Sequence, residues 1–97
     1  MKKINEYSKN GYDFKIIQRQ DNLVISSGKS RKHGSLNWEV VEIQSHNGLN
    51  IAGVPIPPSE FIPRNEQWGT KGWSFSSEEK AFEFFNKKAE KDLVENI

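Results

Sequence analysis

Gly72-Trp73-Ser74-Phe75-Ser76-Ser77-Glu78-Glu79-Lys80-Ala81-Phe82 decides the fold of this chain. Trp73 and Phe75 alternate with small residues, which predicts a short strand with both rings on one face. Ser76 fits an N-cap, and Glu79 three residues on completes the capping-box pattern. Glu78-Glu79 also places negative charge in the first turn, where the helix dipole favours it. Beyond that start, Ala81, Phe82, Phe85 and Ala89 fall on one helical stripe, with Leu93 near its edge. Phe84 lies roughly 100° or more off the stripe. Lys87, Lys88 and Lys91 crowd the later turns, again as the dipole prefers. The spacing predicts a helix over 77–92 fed directly by a strand.

Upstream of this element stands Trp68-Gly69-Thr70-Lys71-Gly72. Glycines on either side of a turn let the backbone pass close to aromatic rings. Both Trp68 and Trp73 therefore read as core-closing residues, and Trp68, beside Glu66 and Gln67, as the more exposed of the two.

The first strands lie further back. Tyr12-Asp13-Phe14-Lys15-Ile16-Ile17-Gln18-Arg19 alternates with Tyr12, Phe14 and Ile16 on one face. Asp21-Asn22 makes a turn, and Leu23-Val24-Ile25 returns as the second arm of a hairpin. Residues 26–35 hold two glycines, four serines, Lys29, Arg31, Lys32 and His33, and read as a loop. Leu36 to Gln44 forms the third strand. Leu36, Trp38 and Val40 share one face while Val41 and Ile43 share the other, so either both faces are covered or a bulge swaps the pleat. Residues 1–11 read as a loosely ordered lead-in. Residues 49–67, with prolines at 55, 57, 58 and 63, read as a long segment without regular structure, shortened by an edge strand around Asn50 to Val54.

These readings converge on one α+β domain over residues 1–97: a mostly antiparallel sheet of about four strands, packed by one C-terminal helix. Its inner face is expected to take Phe14, Ile16, Trp38, Trp73 and Phe75 against Ala81, Phe82, Phe85 and Ala89. A domain of 97 residues buries one modest core, and its three Trp and six Phe supply much of it.

Composition narrows the function classes. The chain has no cysteine, which excludes disulfides, thiol catalysis and thiolate metal sites. Met1-Lys2-Lys3-Ile4 lacks the apolar run of a secretion signal, and no stretch reaches membrane-spanning length, so a cytoplasmic protein without a membrane partner is expected. His33 and His46 sit on separate polar loops at no metal-ligating spacing, and no phosphate loop or nucleophile elbow is present. Glu39 and Glu42 point to opposite faces of their strand and read as solvated carboxylates. A non-enzymatic protein with no cofactor and no metal follows as the expectation.

Two binding surfaces remain. The proline segment 54–63 offers Ile56, Phe61 and Ile62 as an apolar strip of low conformational entropy. Trp68 and Phe84 would add aromatic anchors to it. Together these predict a small protein-interaction module, unless the segment folds back and plugs the core. The alternative is a nucleic-acid-binding domain. The net charge of +1 hides a basic first third, with eight Lys/Arg against three Asp/Glu in residues 1–35. Lys15 and Arg19 on the first hairpin, with Lys29, Arg31, Lys32 and His33, would form a phosphate-contacting patch. The balancing acidic charge in residues 36–97 supplies the simpler reading, in which the two halves attract each other.

Trp68-Gly69, Lys71-Gly72, Phe75-Ser76, Ala81, Phe85 and the Lys-rich helix end resemble the closing half of a WGR domain. That resemblance covers about 25 residues and implies a sheet crossed by a helix, in a family found beside poly-ADP-ribose polymerase domains and associated with DNA ends. Thr70 stands where the family carries its eponymous arginine, which removes the residue type that would support DNA binding. A second resemblance runs through Trp38-Glu39-Val40-Val41, Glu60, Pro63, Trp68-Gly69, Gly72-Trp73 and Ala81. It is similar to small uncharacterised proteins encoded by phages and mobile elements, and implies an accessory protein that binds a host protein.

Overall fold

A computed structural model describes residues 3–63 and 67–95 of the chain, with the side chains of residues 92–95, and so the expectation for Leu93, outside that description. The main sheet has five antiparallel strands in the order β1 (Glu6–Lys9), β2 (Tyr12–Gln20), β3 (Leu23–Ser30), β4 (Leu36–Glu42) and β9 (Gly72–Phe75). Between β4 and β9 the chain makes two small ribbons from four three-residue strands. In these, β5 (Gln44–His46) pairs with β8 (Ser59–Phe61), and β6 (Leu49–Ile51) pairs with β7 (Val54–Ile56). Helix α1 (Glu78–Glu95) then crosses one face of the sheet.

The α+β architecture is the one expected, with one strand more in the main sheet. The lead-in is itself a strand. Asn10 and Gly11 both have positive φ (52° and 81°), the geometry of a two-residue hairpin turn that matches strand twist. Asn-Gly is the sequence signal for that turn, and it folds Glu6–Lys9 back onto β2. The expected loop over 26–35 also shortens, because β3 runs on to Ser30 and the turn spans only Arg31–Ser35.

Both faces of the sheet are covered, which resolves the alternation around Val40 and Val41 without a bulge in β4. Leu23, Ile25 and Val40 pack under Ala81, Phe85 and Ala89 of the helix, with Trp38, Trp73, Phe75, Phe82 and Phe84 around them. Val24, Val41 and Ile43 form a second core on the opposite face, under Ile16, Ile62 and Trp68. The bulge falls instead in β2, between Ile16 and Gln18.

Phe14 and Ile16 belong to the face away from the helix, correcting their expected place beside Trp38. Ile16 pairs with Ser26, which pairs with Glu39, whereas Trp38 is the neighbour of Glu39 and points the other way. Phe14 lies directly over Gly28, where an added Cβ would meet its ring at 2.3 Å. Gly72 supports the Trp68 ring in the same manner, at 2.6 Å. Two glycines thus act as flat seats for aromatic rings on that face.

The helix begins one residue later than its capping-box pattern suggests. The Lys80 amide donates to Ser77 Oγ at 3.4 Å, and the Ala81 amide to the Ser77 carbonyl at 3.1 Å. Ser77, not Ser76, is the cap, so Glu79 is one position short of the box and acts only through the dipole.

Candidate functional site

Residues 43–59 contain no Asp, Glu, Lys or Arg, in a chain that is 28% charged. This stretch builds the β6–β7 ribbon. Ala52 and Gly53 (φ 51° and 80°) make its two-residue turn. Leu49 is paired with Ile56 and Ile51 with Val54, so all four aliphatic side chains stand on one face. Asn50 and Pro55 occupy the other face. Proline is tolerated here because Asn50–Pro55 is the non-hydrogen-bonded pair, where the missing N–H would point away from the partner strand.

The aliphatic face is not packed on the body of the protein. Leu49 is 48% exposed, Ile51 59% and Val54 57%. The radius of gyration, 14.6 Å, exceeds the roughly 12.5 Å typical of a compact chain of this length. At the root of the ribbon, His46 Nδ1 accepts from the Gly48 amide at 3.2 Å, and His46 Nε2 lies 2.8 Å from Ser59 Oγ. An amide can only donate, so Nδ1 carries a lone pair and Nε2 carries the proton. The imidazole therefore donates to Ser59 and does not act as its base. The pair fastens the ribbon across its root.

A second constellation is polar and buried. Glu39, read from sequence as a solvated carboxylate, is 2% exposed on the face away from the helix. Its Oε1 accepts from Tyr7 Oη at 2.7 Å, and its Oε2 accepts from Lys9 Nζ at 2.9 Å and Ser74 Oγ at 3.2 Å. Trp68 Nε1 donates to Ser74 Oγ at 3.0 Å, and Lys9 Nζ sits 3.3 Å from the centre of a Trp68 ring. Burial, and after it the Glu39 charge, pushes the Tyr7 hydroxyl far above its ordinary pKa, so it keeps the proton it donates to Glu39 and accepts from Ser26 Oγ at 2.6 Å. In a flat sheet β1 and β4 would stand about 14 Å apart. Direct bonds from β1 to Glu39 therefore require the sheet to curl over this face. Every buried side-chain polar atom among the described residues has a partner, the pattern of a structural lock.

The other residues singled out from sequence separate in space. Ile56 belongs to the aliphatic face of the ribbon. Phe61 is 42% exposed on β8, with its ring 6.1 Å from His46. Ile62 and Trp68 are half-buried on the second core, so the end of the proline segment does fold back on the sheet. Phe84 is half-buried between Trp73 and Phe75, at ring distances of 4.9 and 5.4 Å.

The basic residues do not form one patch. Arg19 grips Glu60 through both terminal guanidinium nitrogens, at 2.8 and 2.6 Å, on the face opposite Lys15. That hydrogen-bonded pairing holds the Glu60 carboxyl below, and the Arg19 guanidinium above, their ordinary values. Arg31 pairs with Asp13 at 3.0 Å. Lys15 stands opposite Glu6 in the β1–β2 register. Lys29, Lys32 and His33 are exposed around the β3–β4 turn.

Among the described residues no group of three or more His, Asp or Glu side chains comes together to hold a metal ion. No helix among them is long and apolar enough to cross a membrane. No protein-family model, curated protein or solved structure matches the chain.

Proposed function

We propose that this protein is a non-enzymatic interaction module that docks on another protein through the aliphatic face of the β6–β7 ribbon. The observation that carries this reading is the in-register quartet of Leu49, Ile51, Val54 and Ile56 on an uncharged ribbon. Three aliphatic side chains left about half exposed, in line with a fourth that is partly covered, cost solubility and contribute nothing to the core, so their value lies in being covered by something else.

The size of the face limits what covers it. Three half-exposed side chains and the partly covered Ile56 offer on the order of 200–300 Å² of apolar area. Two copies joined face to face would bury about 600 Å² at most, well below the ~1,200 Å² of a standard stable interface. The ribbon suits insertion into a preformed apolar groove of a partner, in the way a short anchor fills a pocket. The absence of charge over 43–59 points to an uncharged groove wall.

Substitution separates this reading from a structural role. Ile51→Asp and Val54→Asp together should leave thermal stability within about 0.5 kcal/mol of the parent, because both positions are exposed. Co-purification of the native partner from the cells that make the protein should be abolished. A variant that still retains its partner, or a parent that recovers none, contradicts the reading.

A further inference from the structure

The end of the sheet beside the helix carries a second surface. β9 pairs with β4 on one side only. Its first residue is closed off on the other side, where the Gly69 amide donates to the Gly72 carbonyl at 2.7 Å. The Lys71 carbonyl, by contrast, accepts from the Glu42 amide of β4 at 2.8 Å. Backbone groups alternate along a strand, so the amide and carbonyl of Ser74, two residues past Gly72, also point away from β4. Edge strands are ordinarily blunted by a charge, a proline or a bulge within the strand. Gly72-Trp73-Ser74-Phe75 has none of these.

The helix flank beside this edge has a one-sided charge. Phe84 reaches Trp73 and Phe75 of β9, which fixes the direction of that flank. At 100° per residue, Lys80, Lys87, Lys88 and Lys91 all lie within about 60° of Phe84. Glu79 and Glu90 turn to the other side, while Glu83 pairs with Lys87 at 3.2 Å across an exposed turn, so the flank keeps a surplus of lysine charge. Lys88 Nζ sits 5.0 Å from the centre of a Trp73 ring and 3.0 Å from Glu42 Oε1. Lys71 binds the same carboxylate at 3.1 Å. Burial raises the Glu42 pKa, but the two lysine hydrogen bonds outweigh it and hold the carboxyl below its ordinary value. The nearest acid is thus already satisfied.

We propose that the outer edge of β9 and the lysine flank of α1 form a groove that takes an extended acidic segment of another protein as a sixth strand. Added in this way, the segment would hydrogen-bond Ser74 through its backbone. It would turn its carboxylates toward the helix lysines on one face, and set the alternate apolar side chains on the opposite face beside Trp68, whose ring covers Gly72 and whose Nε1 donates to Ser74 Oγ. The same lysines repel a second copy of this edge, so charge favours an acidic partner over self-pairing. This groove is separate from the ribbon and stands or falls independently of it.

The test uses a fluorescein-labelled octapeptide of alternating Glu and Val, titrated into the full chain at low and at moderate salt. Binding is expected, with amide shifts centred on Ser74 and Phe75. Lys80→Glu with Lys87→Glu, both exposed positions, should weaken it by about tenfold or more. A peptide N-methylated at alternate residues should lose binding, since only strand pairing needs those amides. Ile51→Asp should leave it unchanged, which keeps this outcome distinct from the ribbon's. The proposal is overturned if a Lys–Val octapeptide binds equally well or if the N-methylated peptide binds as the parent does. It is also overturned if oligo-dT occupies the groove while the Glu–Val peptide does not.

Discussion

Lys9→Met should destabilise the protein by about 3–5 kcal/mol, among the largest effects of any single substitution in the chain. The reason is asymmetry within the Glu39 lock. Glu39 is 2% exposed and lies at the centre of the curled face, while the Lys9 side chain is 15% exposed at its rim. Removing the lysine strands a carboxylate that cannot reach water and keeps only neutral donors from Tyr7 and Ser74. Removing the carboxylate instead leaves an ammonium that can swing outward. Glu39→Gln should therefore cost less than Lys9→Met, and the double variant should recover at least half of the Lys9→Met loss. Chemical denaturation of the three variants checks this. A Lys9→Met cost below about 1 kcal/mol would place the pair among ordinary surface ion pairs.

Phe85→Ala should cost about 3–5 kcal/mol, through lost transfer energy and the cavity left behind. Phe85 is 1% exposed and is the largest fully buried side chain joining the helix to Leu23, Ile25 and Val40. Backbone curvature cannot refill the gap, because the flanking contacts at Ala81 and Ala89 already hold the helix close to the sheet. Phe84→Ala should cost less than half as much, since Phe84 is only half-buried and packs on the sheet's edge. Equal losses at the two positions would show that the helix sits rotated from the described orientation.

How legible was this in the sequence? The helix and β9 were, because an acidic first turn and a 3.6-residue stripe agree over a short stretch, although the cap is Ser77 and the helix runs past its lysines to Glu95, with no basic residue in its last turn. The β2–β3 hairpin was also legible, from alternation and the Asp21-Asn22 turn. β1 was not read, although Asn10-Gly11 announces it, because its arm Glu6-Tyr7-Ser8-Lys9 is mostly polar. Its burial comes from the Glu39 lock, whose members lie some 30 residues apart. Alternation tells which residues of a strand share a face, but not which set faces the helix. That depends on long-range register, and so Phe14 and Ile16 were placed on the wrong side.

The candidate site was partly legible. Leu49-Asn50-Ile51 and Val54-Pro55-Ile56 alternate around Ala52-Gly53, a readable hairpin that the prolines disguised as irregular chain. Ile56 was singled out, whereas its three companions were not. Arg19 was grouped with the basic loop because its partner, Glu60, is 41 residues away. The lysine flank of α1 read as dipole compensation. Its relation to a sheet edge emerges only once β9 is placed last in the sheet.

The central claim is that the ribbon's aliphatic face, not the charged outer face of the helix, meets the partner. A photo-cross-linking side chain in place of Ile51, irradiated in the cells that make the protein, tests it most directly. The expected result is one discrete adduct from position 51 and none from the same side chain at Asn86, which is exposed on the helix. No adduct at 51, or the same adducts from both positions, would contradict the claim.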